Sequence, residues 1–181
     1  MAMTLITTNT SSNAASSSFT SSIDSTYKLF IFKFYDVNAA TDQANLTFQV
    51  NATDGADYND SLFTTTAFYA RHTESDNAAV LSYSTGLDLA QAASFQPLAY
   101  RCGNDADQSV AGELFLFNPS NTTYVKHWYA RFQEASSDGG SPQSMNMFTA
   151  GYINDTTAID DIQFKMSSGN MDAVIKMYGV G

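Results

Sequence analysis

Residues 112–132 read GELFLFNPSNTTYVKHWYARF, and their alternation decides the fold class. Before the turn, Leu114 and Leu116 share one face of an extended segment while Glu113, Phe115 and Phe117 share the other. After it, Tyr124, Lys126, Trp128, Ala130 and Phe132 alternate with Val125, His127, Tyr129 and Arg131. A period of two is the signature of a strand, because successive side chains point to opposite faces of the pleat. Pro119 presets φ for a turn, and Asn118 and Ser120 are turn formers. The stretch is therefore a β-hairpin.

The same periodicity recurs on both sides. Tyr27–Val37 (YKLFIFKFYDV) places Phe30, Phe32 and Phe34 on one face and Leu29 and Ile31 on the other, the apolar load of a central strand. Asn45–Asn51 (NLTFQVN) alternates Leu46, Phe48 and Val50 with Thr47 and Gln49, a half-buried strand. Phe63–Arg71 and Ala79–Ser84 are shorter candidates, and Met145–Asn154 is another, with Gly151 as a candidate bulge. Ile159–Met166, a Ser167–Asn170 turn and Ala173–Tyr178 read as a second hairpin. Residues 85–110 are less regular and read as a long loop with at most one helical turn over 87–93, since Pro97 and Gly103 stop anything longer. Residues 136–142 (SSDGGSP) read as a loop.

Short strands separated by turns, with no helix long enough to cross over a parallel sheet, predict an all-β fold: an antiparallel β-sandwich of jelly-roll type. Residues 1–22 form a Ser/Thr-rich N-terminal arm preceding a single β-sandwich domain over 23–181. Within the arm, residues 7–22 (TTNTSSNAASSSFTSS) carry only Phe19 as a large apolar group. The segment is expected to be flexible or to become an edge strand ordered by partners.

The chain of 181 residues suits one domain with a sizeable core. Charged residues are 14%, against roughly 25% in ordinary globular domains. Hydroxyl and amide side chains solvate the surface instead, which suits life in an assembly. The net charge of -10, with 8 basic residues spread thinly, argues against nucleic-acid partners and against an anionic membrane. No apolar run approaches a membrane span, and residues 1–22 lack the basic and apolar blocks of a secretory signal. The N-x-S/T sequons at Asn9, Asn45, Asn51, Asn59, Asn121 and Asn154 are what an Asn- and Thr-rich chain produces by chance.

The residues that carry chemistry elsewhere are sparse here. Cys102 is the only cysteine, so neither an intrachain disulfide nor a thiolate metal site can be built. His72 and His127 lie in no HxH or HExxH spacing. No GxSxG, GxGxxG or phosphate-binding loop is present, and Gly139-Gly140 lacks the Lys-Ser/Thr that would follow. Asp160-Asp161 and Asp105/Asp107 are the nearest approach to paired carboxylates, and read as solvated loop acids. Loops 54–60 and 104–107 are rich in oxygen ligands without the twelve-residue calcium-loop pattern. Trp128, Tyr124, Tyr129, Tyr152 and Tyr178 are candidates for a sugar-stacking platform, weighed against core and subunit interface, the reading that strand placement favours. No residue is singled out as catalytic, cofactor-binding or metal-binding; the expectation is of no enzyme and no cofactor.

From 113–132 (ELFLFNPSNTTYVKHWYARF) and 147–179 (MFTAGYINDTTAIDDIQFKMSSGNMDAVIKMYG), joined to 3–37 and NLTFQVN, the chain resembles a family of tailed-bacteriophage virion structural proteins. The resemblance runs nearly full length, with 52–110 as its variable part. It implies a β-sandwich module of tail-fibre or head-decoration type displayed on the virion, without catalytic residues. The expected function is thus that of a capsid decoration (cement) protein, a homo-oligomer, trimeric by preference, bound to other virion proteins through its arm. The alternative is a tail-fibre or receptor-binding adhesin whose loops 52–60, 85–110 and 136–142 contact host glycans. A carbohydrate-active enzyme on a jelly-roll scaffold ranks behind both.

Overall fold

The computed structural model describes residues 2–53, 57–59, 61–138 and 141–181. Its strands are β1 (Met3–Ala14), β2 (Ser17–Phe19), β3 (Leu29–Ala39), β4 (Ala44–Ala52), β5 (Phe63–Thr73), β6 (Ala79–Tyr83), β7 (Ala90–Ala92), β8 (Gln96–Cys102), β9 (Val110–Phe117), β10 (Lys126–Asp138), β11 (Ser141–Ile153), β12 (Ile159–Met166) and β13 (Met171–Val180). Every pairing is antiparallel. Among the described residues there is no helix.

All thirteen strands belong to one sheet that curls until it is nearly closed into a barrel. One wall runs β1-β13-β3-β9-β10 and the other β8-β4-β12-β2. The walls join where Ser136 of β10 pairs with Cys102 of β8, just past the last β9 partner, Glu134 with Val110. At the opposite seam, Asn9 of β1 donates to the carbonyl of Ser18 at 2.8 Å and to the Ser17 hydroxyl at 3.3 Å. The far edge of β10 carries β11, then β5, with β6 and β7 side by side on the outer edge of β5. This extension forms a wing of the sheet, with Phe63 of β5 and Ile153 of β11 still packed in the barrel core.

The core fills the space between the walls. Phe30, Phe32 and Phe34 of β3, Phe48 of β4, Leu114 and Leu116 of β9, Trp128 and Phe132 of β10 and Phe164 of β12 are almost wholly buried. Phe164 sits at the hub, with ring centroids 4.9 Å from Phe34, 5.4 Å from Phe32, 6.2 Å from Phe19 and 6.3 Å from Phe48. The pairs with Phe34 and Phe19 meet edge to face, the arrangement favoured by the ring quadrupole.

Within the strands, the inward and outward sets of the 112–132 hairpin are as its alternation predicts, with Leu114, Leu116, Trp128, Ala130 and Phe132 inside, whereas Tyr124, in their predicted set, lies ahead of β10 and is exposed. Several expectations are corrected. β12 and β13 are not a hairpin: β12 pairs with β4 and β2, β13 with β1 and β3, so the 167–170 turn passes from one wall to the other. The inward residues of these strands face each other across the core instead of side by side. Gly151 is not a bulge, because the register runs unbroken through Trp128–Gly151–Thr65; a side chain is excluded there because a Cβ would lie 2.5 Å from the Thr64 carbonyl oxygen. Residues 85–110 contain β7 and β8, held down by two buried amides. Gln49 donates to the carbonyls of Ser61 and Ala93, and Gln96 to those of Leu87 and Pro97. These tertiary hydrogen bonds replace the local periodicity the segment lacks.

Residues 136–138 and 141–142 are strand rather than loop, Asp138 pairing with Ser141. The Ser/Thr-rich N-terminal segment is ordered by its own chain: β1 pairs with β13 from Met3↔Val180 to Ala14↔Met171. Phe19 is buried against Phe32 and Phe164.

Candidate functional site

The outward faces of the long wall and the wing form one surface, whose register can be followed residue by residue. One row runs Thr8–Lys176–Lys33–Glu113–Arg131–Phe148–Phe68–Tyr83 across β1, β13, β3, β9, β10, β11, β5 and β6. Its left half is charged, with Lys33 and Glu113 paired at 3.1 Å. Its right half is aromatic: Phe68 and Phe148 stack at 5.0 Å and 6° between planes, and the Arg131 guanidinium lies 5.2 Å from the Phe148 centroid.

The next row towards the 118–125 turn reads Leu5–Tyr178–Ile31–Phe115–Tyr129–Ala150–Thr66. Phe115 and Tyr129 stack at 4.6 Å, and Phe117 leans on the same tyrosine at 5.8 Å. Here two adjoining grooves of about 460 and 510 Å³ share Phe117 and His127. The first has Tyr129, Ala150, Tyr152 and Thr64 on its walls, and the second has Tyr124 and Asn121. His127 and Tyr152 meet edge to face at 6.4 Å. The second groove is shaped by the hairpin turn, in which the Asn121 side-chain oxygen accepts the N–H groups of Thr123 and Tyr124 at 2.7 and 2.8 Å.

Of the aromatics singled out in the sequence, Tyr124, Tyr129 and Tyr152 meet at these grooves. The Trp128 ring is in the core, 4.8 Å from Phe48, and Tyr178 is separated from Tyr129 by Ile31 and Phe115. Phe117, His127, Ala150 and Thr64 escaped notice. The first two belong to the outward set of the quoted hairpin, but the last two reach the site only through the pairing of β11 with β10 and β5.

The residues with classical chemistry lie apart. His72 touches Asp76 at 3.0 Å on an exposed turn, far along the wing from His127. Asp105 and Asp107 are exposed. Loop 54–60 falls largely outside the described residues, as does Gly139-Gly140. Burial and the neighbouring Asp160 raise the pKa of Asp161. Among the described residues, no three His, Cys, Asp or Glu side chains are placed to hold a metal ion.

Three ionisable groups, Glu134, Cys102 and Lys126, are buried outright. Burial pushes the Glu134 carboxyl up to about 8, against the opposing pull of the Tyr100 N–H. Beside it at 3.7 Å, the Cys102 thiol is raised well above its ordinary value by burial and by Glu134, the condition of an unreactive thiol. Lys126 is buried at the mouth of the hairpin and donates to the carbonyls of Asp155 and Thr157, fastening the 154–158 connection. Glu134 and Cys102 lie at the β8–β10 seam, away from the grooves, whereas Lys126 holds the connection that carries Thr156 into the second groove.

Comparison with family models, with curated proteins and with solved structures finds no match for this chain. Nothing is transferred from a relative, and the site must be read from its own geometry.

Proposed function

We propose that this chain is a non-enzymatic structural protein on the exterior of a tailed-bacteriophage virion, a decoration (cement) protein bound to the capsid as a trimer. The observation that carries the reading is where the exposed apolar side chains fall on the eight-strand ladder. Met3 and Leu5 stand on β1, at one end, each 50% exposed. Leu81 at 76% and Tyr83 at 50% stand on β6, at the other, beside exposed Phe68. Apolar groups on both terminal strands of a sheet suit a subunit that meets a neighbour on each side, and a head-to-tail contact of that kind closes into a ring. β6 carries no charge, Pro or bulge, the devices by which a solitary sheet guards its edge.

The jelly-roll description belongs with this reading. It is supported by the connections β1–β2, β3–β4, β8–β9 and β12–β13, each of which passes from one wall to the other. The phage assignment rests on the sequence resemblance.

Gold-labelled antibody against the purified protein, applied to intact virions that carry it, tests the proposal. Label over the capsid is expected. Label confined to the tail tip supports the second reading, a receptor-binding module contacting host glycans, for which the aromatic grooves speak. Absence of label from intact particles overturns both.

A further inference from the structure

We infer that the groove floored by Ala150 is a binding site for one uncharged pyranose of a glycan. The inference stands on the groove alone and does not depend on where the protein resides.

Ala150 is the one small outward residue in an aromatic neighbourhood. Along β11 its outward neighbours are Phe148 and Tyr152, and across the ladder they are Tyr129 and Thr66. Strands lie about 4.8 Å apart, and residues two apart on a strand lie about 6.7 Å apart. The methyl group of Ala150 therefore floors a depression the size of a single six-membered ring. Tyr129 is fixed as its wall, being stacked on Phe115 and braced by Phe117. An aromatic wall held at a set angle binds a sugar through the C–H face of the pyranose, an apolar patch meeting the negative face of the ring.

The opposite rim carries Thr64, whose hydroxyl is held by amides just behind it. The Gln91 amide donates to the Thr64 hydroxyl at 2.6 Å, and the Asn154 amide donates to the Gln91 side-chain oxygen at 2.8 Å. Amides and hydroxyls in a chain keep unused donors and acceptors for sugar hydroxyls. Apolar walls with a few convergent polar groups are the usual make-up of a small-ligand site.

Charge selects among sugars. The protein carries a net charge of -10, yet no Asp, Glu, Lys or Arg lines either groove among the described residues. A uronic or sialic acid would find no cation there and would meet an acidic protein. A neutral hexose or N-acetylhexosamine meets no such obstacle. A protein partner would bury the same face, but the small-floored groove with its Thr64 hydroxyl backed by amides fits a ring with hydroxyls at its edge better than a flat interface.

Methyl pyranosides of glucose, galactose, mannose and N-acetylglucosamine, with their neutral trisaccharides, are titrated into the full chain at millimolar concentration. Binding is followed by saturation-transfer and amide-shift NMR. At least one neutral sugar is expected to bind and to shift the amides of Tyr129, Ala150 and Thr64. A150F, which fills the floor, and Y129A, which removes the wall, are expected to weaken binding at least tenfold with the melting temperature kept. Trigalacturonate is expected not to bind. The inference is overturned if no neutral sugar shifts these amides, if A150F binds undiminished, or if trigalacturonate binds as well as the neutral trisaccharides. It is equally overturned if A150F leaves the protein without any saccharide phenotype but alters its self-association.

Discussion

Glu134 accepts the backbone N–H of Tyr100 on both of its carboxyl oxygens, at 3.1 and 2.9 Å. The contact lies at the fork where β10 exchanges β9 for β8. There β8 bulges, with Arg101 at φ 57°, and the next N–H, that of Arg101, is taken by the Asn45 side chain at 3.0 Å. A carboxyl thus closes a seam that the ladder leaves open, and buried N–H groups left unmet are costly.

The pH dependence of stability follows from that carboxyl. The folded group keeps its proton up to about pH 8, whereas its ordinary value is 4.5. Across that window the folded state binds more protons than the unfolded state, so stability falls as pH rises through it, by on the order of 5 kcal/mol. Glu134→Gln keeps an acceptor for Tyr100 and removes the titration. Urea midpoints measured from pH 5 to 9 should fall for the wild type and stay level for the variant. An equal slope in both would assign the effect elsewhere.

β2 reaches the core through Phe19, while β1 covers the edge of β13. Phe19→Ala removes a ring from the contact with Phe32 and Phe164 and should cost about 3–5 kcal/mol. Deleting residues 3–19 should cost more and leave β13 with a bare edge. Thermal melts of the two variants check the order. A deletion that melts like the intact chain would mean that β1 and β2 are dispensable.

Gly151→Ala places a methyl 2.5 Å from the Thr64 carbonyl oxygen and 2.9 Å from the Thr65 Cα. Both are backbone atoms that move only if β5 moves, so a loss of about 1–3 kcal/mol is expected. The alanine variant at Gly86, where the space is open, is the control and should stay within about 0.5 kcal/mol of the wild type.

Leu81→Lys puts a charge on the exposed face of β6. It should change folding stability by less than about 0.5 kcal/mol while abolishing the proposed trimer in sedimentation equilibrium. A variant that self-associates like the wild type would remove β6 from the contact.

What the sequence disclosed was local. The outward set of the 112–132 hairpin was legible because each inward residue there, Trp128 and Phe132 among them, answers to the same period. The route of the chain after Met166 was not legible, because turn residues such as Gly169 (φ 71°) permit a reversal without specifying which strand receives it. Likewise, three groove tyrosines were among five aromatics named as candidates, although strand placement favoured core and interface for all five. Ala150 and Thr64 could not, since their meeting depends on registers between strands as far apart as β5 and β10.

Because β1 is stitched along its length to β13, the domain cannot be finished until its final strand has been synthesised. Contacts of such long sequence separation make folding slow, and β3 must wait with one hydrogen-bonding edge bare. That interval is when a strand as rich in phenylalanine as β3 is most exposed to aggregation, so yield during expression should depend more on the rate of chain completion and on temperature than on the stability of the finished barrel.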